Sequence, residues 1–501
     1  MMDVLANHRT LSKCNAAFVE SMLTQQTGEL TQGEQCNGEQ NQSGKSQSEQ
    51  GVTQNKVSQQ RALIRGGEIP VAYEMLRQYV NPWPVIVGSK YKSDMAQVTG
   101  KIGQLLYKSN VIMARDYPAL FNKQYDLPIE WFNTLDENAP EGQFMVGRYD
   151  ALISRGALKL VEYNAGTNIG GWHLYRLVDR YREVVQGIKN LDYTPILDAF
   201  LSSLHRMIES KVVPGKGADS GDNTASDTLY HVLFVLENEN EKNDFVSSLP
   251  YFEEAMNACR LNVKLHFDVD FQQLDVNDEG AWINGDKMDA LSVPVFDIDA
   301  SSEKVQKLMQ LHWQNKVVFP DNPIYLSAGN KSCFANVYFL MQQNKLTQEE
   351  AQLISQYIPW THHLDDEVLQ LTGQSSAIDI TQLQIDKANY VIKRDGLLGG
   401  DHVYVGRFTS DSTWESVLSL AQKNPGWIVQ KYFASDAFYA STDDDSIVPH
   451  DYIFGFFDTG SQYGGAGVRI MPSKLSDGVV NSAKGANYTM VFEQQQKMLT
   501  L

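Results

Sequence analysis

The sequence predicts a mixed α/β and α+β protein whose middle third is a small α/β domain built on a parallel sheet. Three observations predict it. β-Branched and aromatic runs at 231–236 (HVLFVL), 262–267 (NVKLHF) and 290–296 (ALSVPVF) alternate with helical patterns over 252–260 and 302–315. Strand-like runs recur in the last third, at 390–393, 402–407, 427–432 and 452–457, after helical segments that follow Lys331. Ahead of both, apolar residues fall at helical spacing over 79–125 and 174–211.

The 501 residues are 42% hydrophobic, enough for two or three domains with a substantial core. No run of eighteen apolar residues occurs, so no membrane span is expected. The first residues lack an apolar core and a small-residue cleavage site, so a cytoplasmic protein is expected. Cys14, Cys36, Cys259 and Cys333 lie far apart with no CxxC pair, which fits reduced thiols better than disulfides or structural zinc. A formal net charge of −19 argues against a nucleic-acid partner, but a site can be locally basic inside an acidic chain. Residues 24–60 are dominated by Gln, Gly, Ser, Asn and Glu. They cannot bury enough surface to offset ordering entropy, so 1–60 reads as a disordered polar tail. A second polar stretch, 214–227, reads as a flexible surface insertion.

The most informative stretch is 144–172, FMVGRYDALISRGALKLVEYNAGTNIGGW: two strands joined by a turn around Gly156. Side chains two apart on a strand share a face, so Arg148 goes with Asp150 and Glu162 with Asn164. A three-residue loop at 155–157 would set Asp150 opposite Glu162 and Arg148 opposite Asn164; a two-residue loop would separate the acids. Mg²⁺ takes hard oxygen ligands, usually one or two carboxylates plus substrate phosphates. Asp150, Glu162 and the Asn164 amide supply such a set, and Arg148 could hold a transferring phosphoryl group. Cross-strand charge pairs on an ordinary exposed hairpin would show the same residues. The glycines that follow favour the first reading, because they let backbone approach a ligand closely.

A second constellation is 390–407, YVIKRDGLLGGDHVYVGR: a strand ending in Lys393, a loop with Gly396, Gly399 and Gly400, then another strand. Loop N–H groups of this kind can cradle phosphates while the lysine neutralises them. It is neither a Walker loop nor a dinucleotide fingerprint, and a plain turn would look similar. Lys331 sits at the start of a helical stretch, where a cation does not help the helix dipole and an anionic partner is expected. Downstream, WIVQKYF at 427–433 is a buried-strand pattern interrupted by Gln430 and Lys431, whose edge could face an adenine.

In this order the pieces resemble the glutathionylspermidine synthase-like, circularly permuted ATP-grasp family. The matching segments are RYD…VEYN at 148–164, NK at 330–331, VIK…GLLGG at 391–400, VQKYF at 429–433 and GGAGVRI at 464–470, and coverage runs from about residue 61 onward. The resemblance implies an ATP-grasp fold with an associated Rossmann-like pre-ATP-grasp domain. It divides the chain into the tail, a helical region with the metal-binding hairpin (61–185), the pre-ATP-grasp-like α/β domain (186–325) and the nucleotide-binding region (326–501). No amidase-like domain is expected ahead of it. The metal motif precedes the nucleotide lysines, the reverse of ordinary ATP-grasp order.

Carried over by motif, Asp150, Glu162 and Asn164 resemble the ligands of Mg²⁺ (two ions), and Arg148 the phosphate-contacting arginine. Lys331 and Lys393 are similar to the two ATP-phosphate lysines, Gly399 and Gly400 to the closing loop, and Gln430 to the adenine hinge. Arg469 is similar to a second phosphate or acyl-phosphate contact. Two departures bear on loop closure and acceptor choice: Arg394 stands where a proline commonly follows the lysine, and the loop reads Leu-Leu-Gly-Gly rather than an arginine-containing pattern. The implied activity is an ATP- and Mg²⁺-dependent ligase joining a small-molecule or peptide carboxylate to an amine through an acyl-phosphate. A phosphotransferase on the same fold and a non-catalytic ATP-binding protein are the alternatives. Elsewhere, His362 and His363 read as solvated loop residues rather than metal ligands, Cys333 as a small buried side chain, and 443–445 as a solvated acidic loop. Trp172 is read equally as cleft lining or packing.

Overall fold

The computed structural model describes residues 80–137, 144–171, 174, 177–185, 188–211, 228–236, 238–294, 298–373, 379–396, 402–442 and 446–494. The polar tail, the 214–227 insertion, Trp172, residues 443–445 and the loop glycines Gly399 and Gly400 lie outside them.

The largest sheet has seven strands and gathers residues from both ends of the described chain. Val85–Val87 pairs in parallel with Asn487–Glu493, and the order continues through Tyr463–Pro472, Ile447–Thr459, Val146–Ser154 and Ala157–Ala165. Phe438–Ser441 pairs with the other half of Ile447–Thr459. Its central strands are buried on both faces, so Tyr463–Pro472 carries no two-residue alternation. The 28-residue helix Ser89–Asp116 covers the sheet with a stripe that includes Met95, Val98, Ile102 and Leu106, at three- and four-residue spacing.

The predicted parallel sheet is present: Tyr230–Phe234 lies between Val263–His266 and Ala290–Ser292. Phe234, Phe245 and Phe252 pack there against Phe200 and Leu204 of the helix Ile196–Lys211. A third sheet of four antiparallel strands runs Thr361–His363, Trp427–Lys431, Tyr390–Arg394 and Val403–Val405, over a core of Ile392, Trp414, Trp427 and Val429. A short meander, Asp275–Asn277, Gly280–Ile283 and Asp286–Lys287, completes the sheets.

The hairpin reaches its expected pairing by a different route. Ser154 pairs with Ala157, so the loop is two residues, Arg155 and Gly156, with φ of 51° and 74°. Positive φ at both central positions is the turn whose twist matches a hairpin. A two-residue loop alone would put the acids on opposite faces. A β-bulge at Val161 inserts one residue, so Leu160 pairs with Ala151 while Glu162 pairs with Asp150 and Asn164 with Arg148. The turn is tied down from outside: the Asp436 carboxylate accepts the N–H groups of Arg155 (2.6 Å) and Gly156 (2.9 Å). Because a side chain at positive φ is strained by about 1 kcal/mol, Arg155→Gly should raise or hold stability. A urea melt showing a loss of more than about 1 kcal/mol would contradict this reading of the turn.

Candidate active site

The hairpin face of the large sheet meets the four-stranded sheet across a cleft. Arg148, Asp150, Glu162, Asn164 and Arg469 line it from the large sheet, and Lys393 and Gln430 from the other. Lys331 reaches the same place from the start of the helix Ser332–Gln342. Eight of the ten residues singled out in the sequence are thus brought together, from segments separated by more than 300 positions. Gly399 and Gly400 are the two that fall outside the described residues.

Asp150 is the pivot of the cationic end. Its Oδ1 accepts from Arg148 Nε at 2.8 Å and its Oδ2 from Arg469 at 2.6 Å, and all three side chains are largely buried. Burial works against ionisation of Asp150, yet the two guanidiniums outweigh it and bring its pKa down to about 2. Arg148 in turn donates to the Gly170 carbonyl, so the glycine-rich segment after the hairpin approaches an arginine. The next link is Glu162, whose Oε1 lies 2.9 Å from Lys331 Nζ. The anionic partner expected for Lys331 is therefore a protein carboxylate. Lys393 Nζ donates to the Val161 carbonyl at 2.8 Å and to Gln430 Oε1 at 2.7 Å. The bulge that restores the hairpin register thus also holds the lysine. Burial lowers the Lys393 pKa to about 8. Gln430, read as a nucleotide hinge residue, uses its side chain to hold Lys393 and donates to Thr361 Oγ1 at 3.1 Å.

In all, three cations (Arg148, Arg469, Lys331) contact two carboxylates (Asp150, Glu162), and the charges of both carboxylates reach Lys393 and offset part of its burial, in a chain whose formal charge is −19. Val391, Val403, Val405, Pro359, Ile453 and Val480 line the cleft as well, together with Lys431, Tyr432 and Asn481. A cleft that combines clustered cations with apolar side chains suits a flat apolar group carrying a polyanion.

Three contributors were not read from the sequence. Asp395 accepts from the backbone N–H of Ser332 at 3.1 Å and from its hydroxyl, so the Lys393 loop caps the helix that starts at Lys331. Asp321, pushed up to about 6 by burial, accepts from Thr167 N at 2.6 Å and Val293 N at 2.9 Å and pins the segment after the hairpin. Gly455 lies beneath Arg148: a Cβ there would stand 2.8 Å from Arg148 Cδ. Gly455→Ala should therefore displace the guanidinium and lower kcat/KM by about tenfold to a hundredfold with the fold retained. Circular dichroism and steady-state kinetics check this; unchanged kinetics would remove Gly455 from the site.

The paired histidines require a correction. His362 and His363 are not on a solvated loop but on the buried strand Thr361–His363. His363 Nε2 lies 2.9 Å from Asn336 Oδ1, and burial pushes its pKa down to about 3. The apolar residues around the dipeptide carry the strand, which pairing with Trp427–Lys431 completes. Cys333 is buried as expected; burial pushes its thiol up to about 12, which leaves it a poor nucleophile.

No protein-family model matches the chain, and no curated protein matches it. Among solved structures it is similar to a glutathione synthetase-like effector from Globodera pallida in its apo form. That match has 11% identity and a TM-score of 0.52, covering 92% of this chain and 100% of the other. It also matches a candidate gamma-glutamylcysteine synthetase from Methylobacillus flagellatus KT at 13% identity and a TM-score of 0.35, covering 78% and 88%. No described helix is long and apolar enough to cross a membrane. At 11% identity the first likeness is one of architecture, and the chain has a glutathione synthetase-like α+β fold.

Proposed function

We propose that the protein is an ATP- and Mg²⁺-dependent carboxylate–amine ligase of the glutathionylspermidine synthase-like, circularly permuted ATP-grasp type. The supporting observation is the cluster of Arg148, Arg469 and Lys331 on two carboxylates, with Lys393 close by, in a cleft that also carries apolar side chains. ATP presents an apolar base and a polyanionic tail, the two features that slot would take.

The donor set fits Mg²⁺. Among the described residues the cleft lining offers carboxylate and amide oxygens and no imidazole or thiol. Glu162 and Asn164 are the more direct candidates, since Asn164 directs its N–H end to the Arg148 carbonyl at 3.4 Å and keeps its oxygen for a cation. Both Asp150 oxygens already accept from arginines, so Asp150 would serve the ion by sharing and the arginines by positioning. Mg²⁺, when bound with ATP, neutralises charge on the β- and γ-phosphate oxygens.

The remaining chemistry needs placement rather than a protein nucleophile. A substrate carboxylate oxygen bonds to the γ-phosphorus as the bond to the β–γ bridging oxygen breaks, and ADP leaves with that oxygen. The amine nitrogen then bonds to the acyl carbon, the acyl–phosphate C–O bond breaks, and phosphate departs as a proton of that nitrogen passes to it or to water. Arg148 and Arg469, held apart by Asp150, would stabilise charge on the transferring phosphoryl group, while Lys331 and Lys393 would hold the ATP phosphates. ADP release should require both a carboxylate and an amine, with a product lighter than their sum by one water. A panel of carboxylate–amine pairs read by mass tests this. ADP formation with a single acceptor and no amide would instead make the protein a phosphotransferase.

A further inference from the structure

Away from the cleft, three ligand-type side chains converge from three strands: His231 on Tyr230–Phe234, His266 on Val263–His266, and Asp286 on Asp286–Lys287. His231 Nδ1 lies 3.0 Å from His266 Nε2. Asp286 Oδ2 lies 3.6 Å from the first nitrogen and 3.8 Å from the second. Neighbouring ligand atoms of a tetrahedral zinc ion, with bonds of about 2.0–2.2 Å, stand roughly 3.3–3.6 Å apart. A circle through three points at the observed separations has a radius of about 2.0 Å, that of a three-ligand face of such a tetrahedron, with the ion standing off the plane toward a fourth ligand.

We propose that His231, His266 and Asp286 form a site for a zinc-class divalent ion, with a fourth position open to water. Two imidazole nitrogens and one carboxylate favour zinc, cobalt or nickel over Mg²⁺ or Ca²⁺, which take oxygen shells. The three side chains are partly buried, which leaves an entry path while limiting the motions that would scatter them. None of them lines the cleft, so the site is independent of the ligase reading.

The strand registers explain why the site exists. Tyr230–Phe234 and Val263–His266 are neighbours in the parallel sheet, whereas Asp286 belongs to the meander, which shares no strand pairing with that sheet among the described residues. Met288 and Asp289 carry the chain from Asp286–Lys287 straight into Ala290–Ser292, and the Asp289 N–H donates to the His231 carbonyl at 2.8 Å, so the backbone that bears the three ligands is already tied together. Lys264 Nζ stands 2.6 Å from the same Asp286 oxygen and is half exposed. It takes the cation's place beside the carboxylate and can swing to solvent when the ion enters. Ammonium and metal therefore compete for one oxygen.

That competition makes the site testable in both directions. Calorimetry of the full chain with Zn²⁺, in excess Mg²⁺, should show one ion bound. Co²⁺ should give the visible ligand-field absorption of a nitrogen-containing site. His231→Ala and His266→Ala should each weaken Zn²⁺ binding about tenfold to a hundredfold, and Zn²⁺ should no longer raise the melting temperature of either variant. Lys264→Met should tighten binding severalfold, a gain that a folding defect cannot mimic. Zn²⁺ affinity that survives both histidine substitutions, absence of binding by the parent chain, or a Lys264→Met variant that binds no tighter would each overturn the proposal.

Discussion

Asp150→Ala is expected to reduce ADP formation by at least about a thousandfold and to destabilise the fold by about 3–5 kcal/mol. Both effects have one origin. The carboxylate is the common partner of Arg148 and Arg469, and its removal leaves two largely buried guanidiniums facing each other. Asp150→Asn keeps the shape and part of the hydrogen bonding, so it should recover part of the stability but little activity. The pH dependence follows from the sign of the shift. Since the folded-state pKa is depressed to about 2, the stabilisation is present above the ordinary aspartate range and is lost only as pH falls through about 2. Denaturant melts of the parent and Asp150→Ala at neutral pH check the first number. A loss under about 1 kcal/mol would show that the arginines do not depend on this residue.

Lys393→Met should lower kcat/KM for ATP by about a hundredfold to a thousandfold, the effect of removing one preorganised charge from a phosphoryl-transfer site. Its effect on stability should be small. The buried amine no longer needs desolvation, but the Val161 carbonyl and Gln430 Oε1 lose their donor. Titration gives a sharper signature. Burial lowers the Lys393 pKa to about 8, so in the free protein the ammonium is lost as pH rises past that value, and nucleotide affinity should fall with it. Folding stability should move the other way. The unfolded chain binds this proton up to the ordinary lysine range, so between about pH 8 and that range the lysine contributes stability that increases with pH. Measured together, falling affinity and rising stability would belong to Lys393, and both trends should vanish in Lys393→Met.

The chemistry of the site was legible in the sequence, while its geometry was legible only in part. Residues two apart on a strand share a face whatever the fold, so Arg148 with Asp150 and Glu162 with Asn164 could be paired from spacing alone. Their cross-strand register was right for the wrong reason. The loop is two residues long and Val161 supplies the correction, a bulge that no spacing rule over 144–172 reads. Gly455 and Asp395 went unread for another reason. Their roles are contacts with Arg148 and Ser332, some 307 and 63 positions away, and a lone glycine or aspartate carries no mark of such a partner. The histidine pair misled because polar residues followed by Asp365 and Asp366 look solvated, whereas the strand they form is covered on both faces. The parallel sheet, by contrast, was plain: the largely buried strands Tyr230–Phe234 and Ala290–Ser292 appear as short apolar runs, and the edge strand Val263–His266 still carries β-favouring residues between helical patterns.

If the cleft takes ATP, its clustered cations should hold the polyphosphate. Calorimetric titration of the full chain with ATP, ADP and AMP in the presence of Mg²⁺ tests it most directly. The account predicts a single site at which ATP binds more than about a hundredfold tighter than AMP, with the advantage lost in Lys393→Met and reduced in Glu162→Gln. Equal affinities for the three nucleotides, or ATP binding that both substitutions leave unchanged, would contradict it.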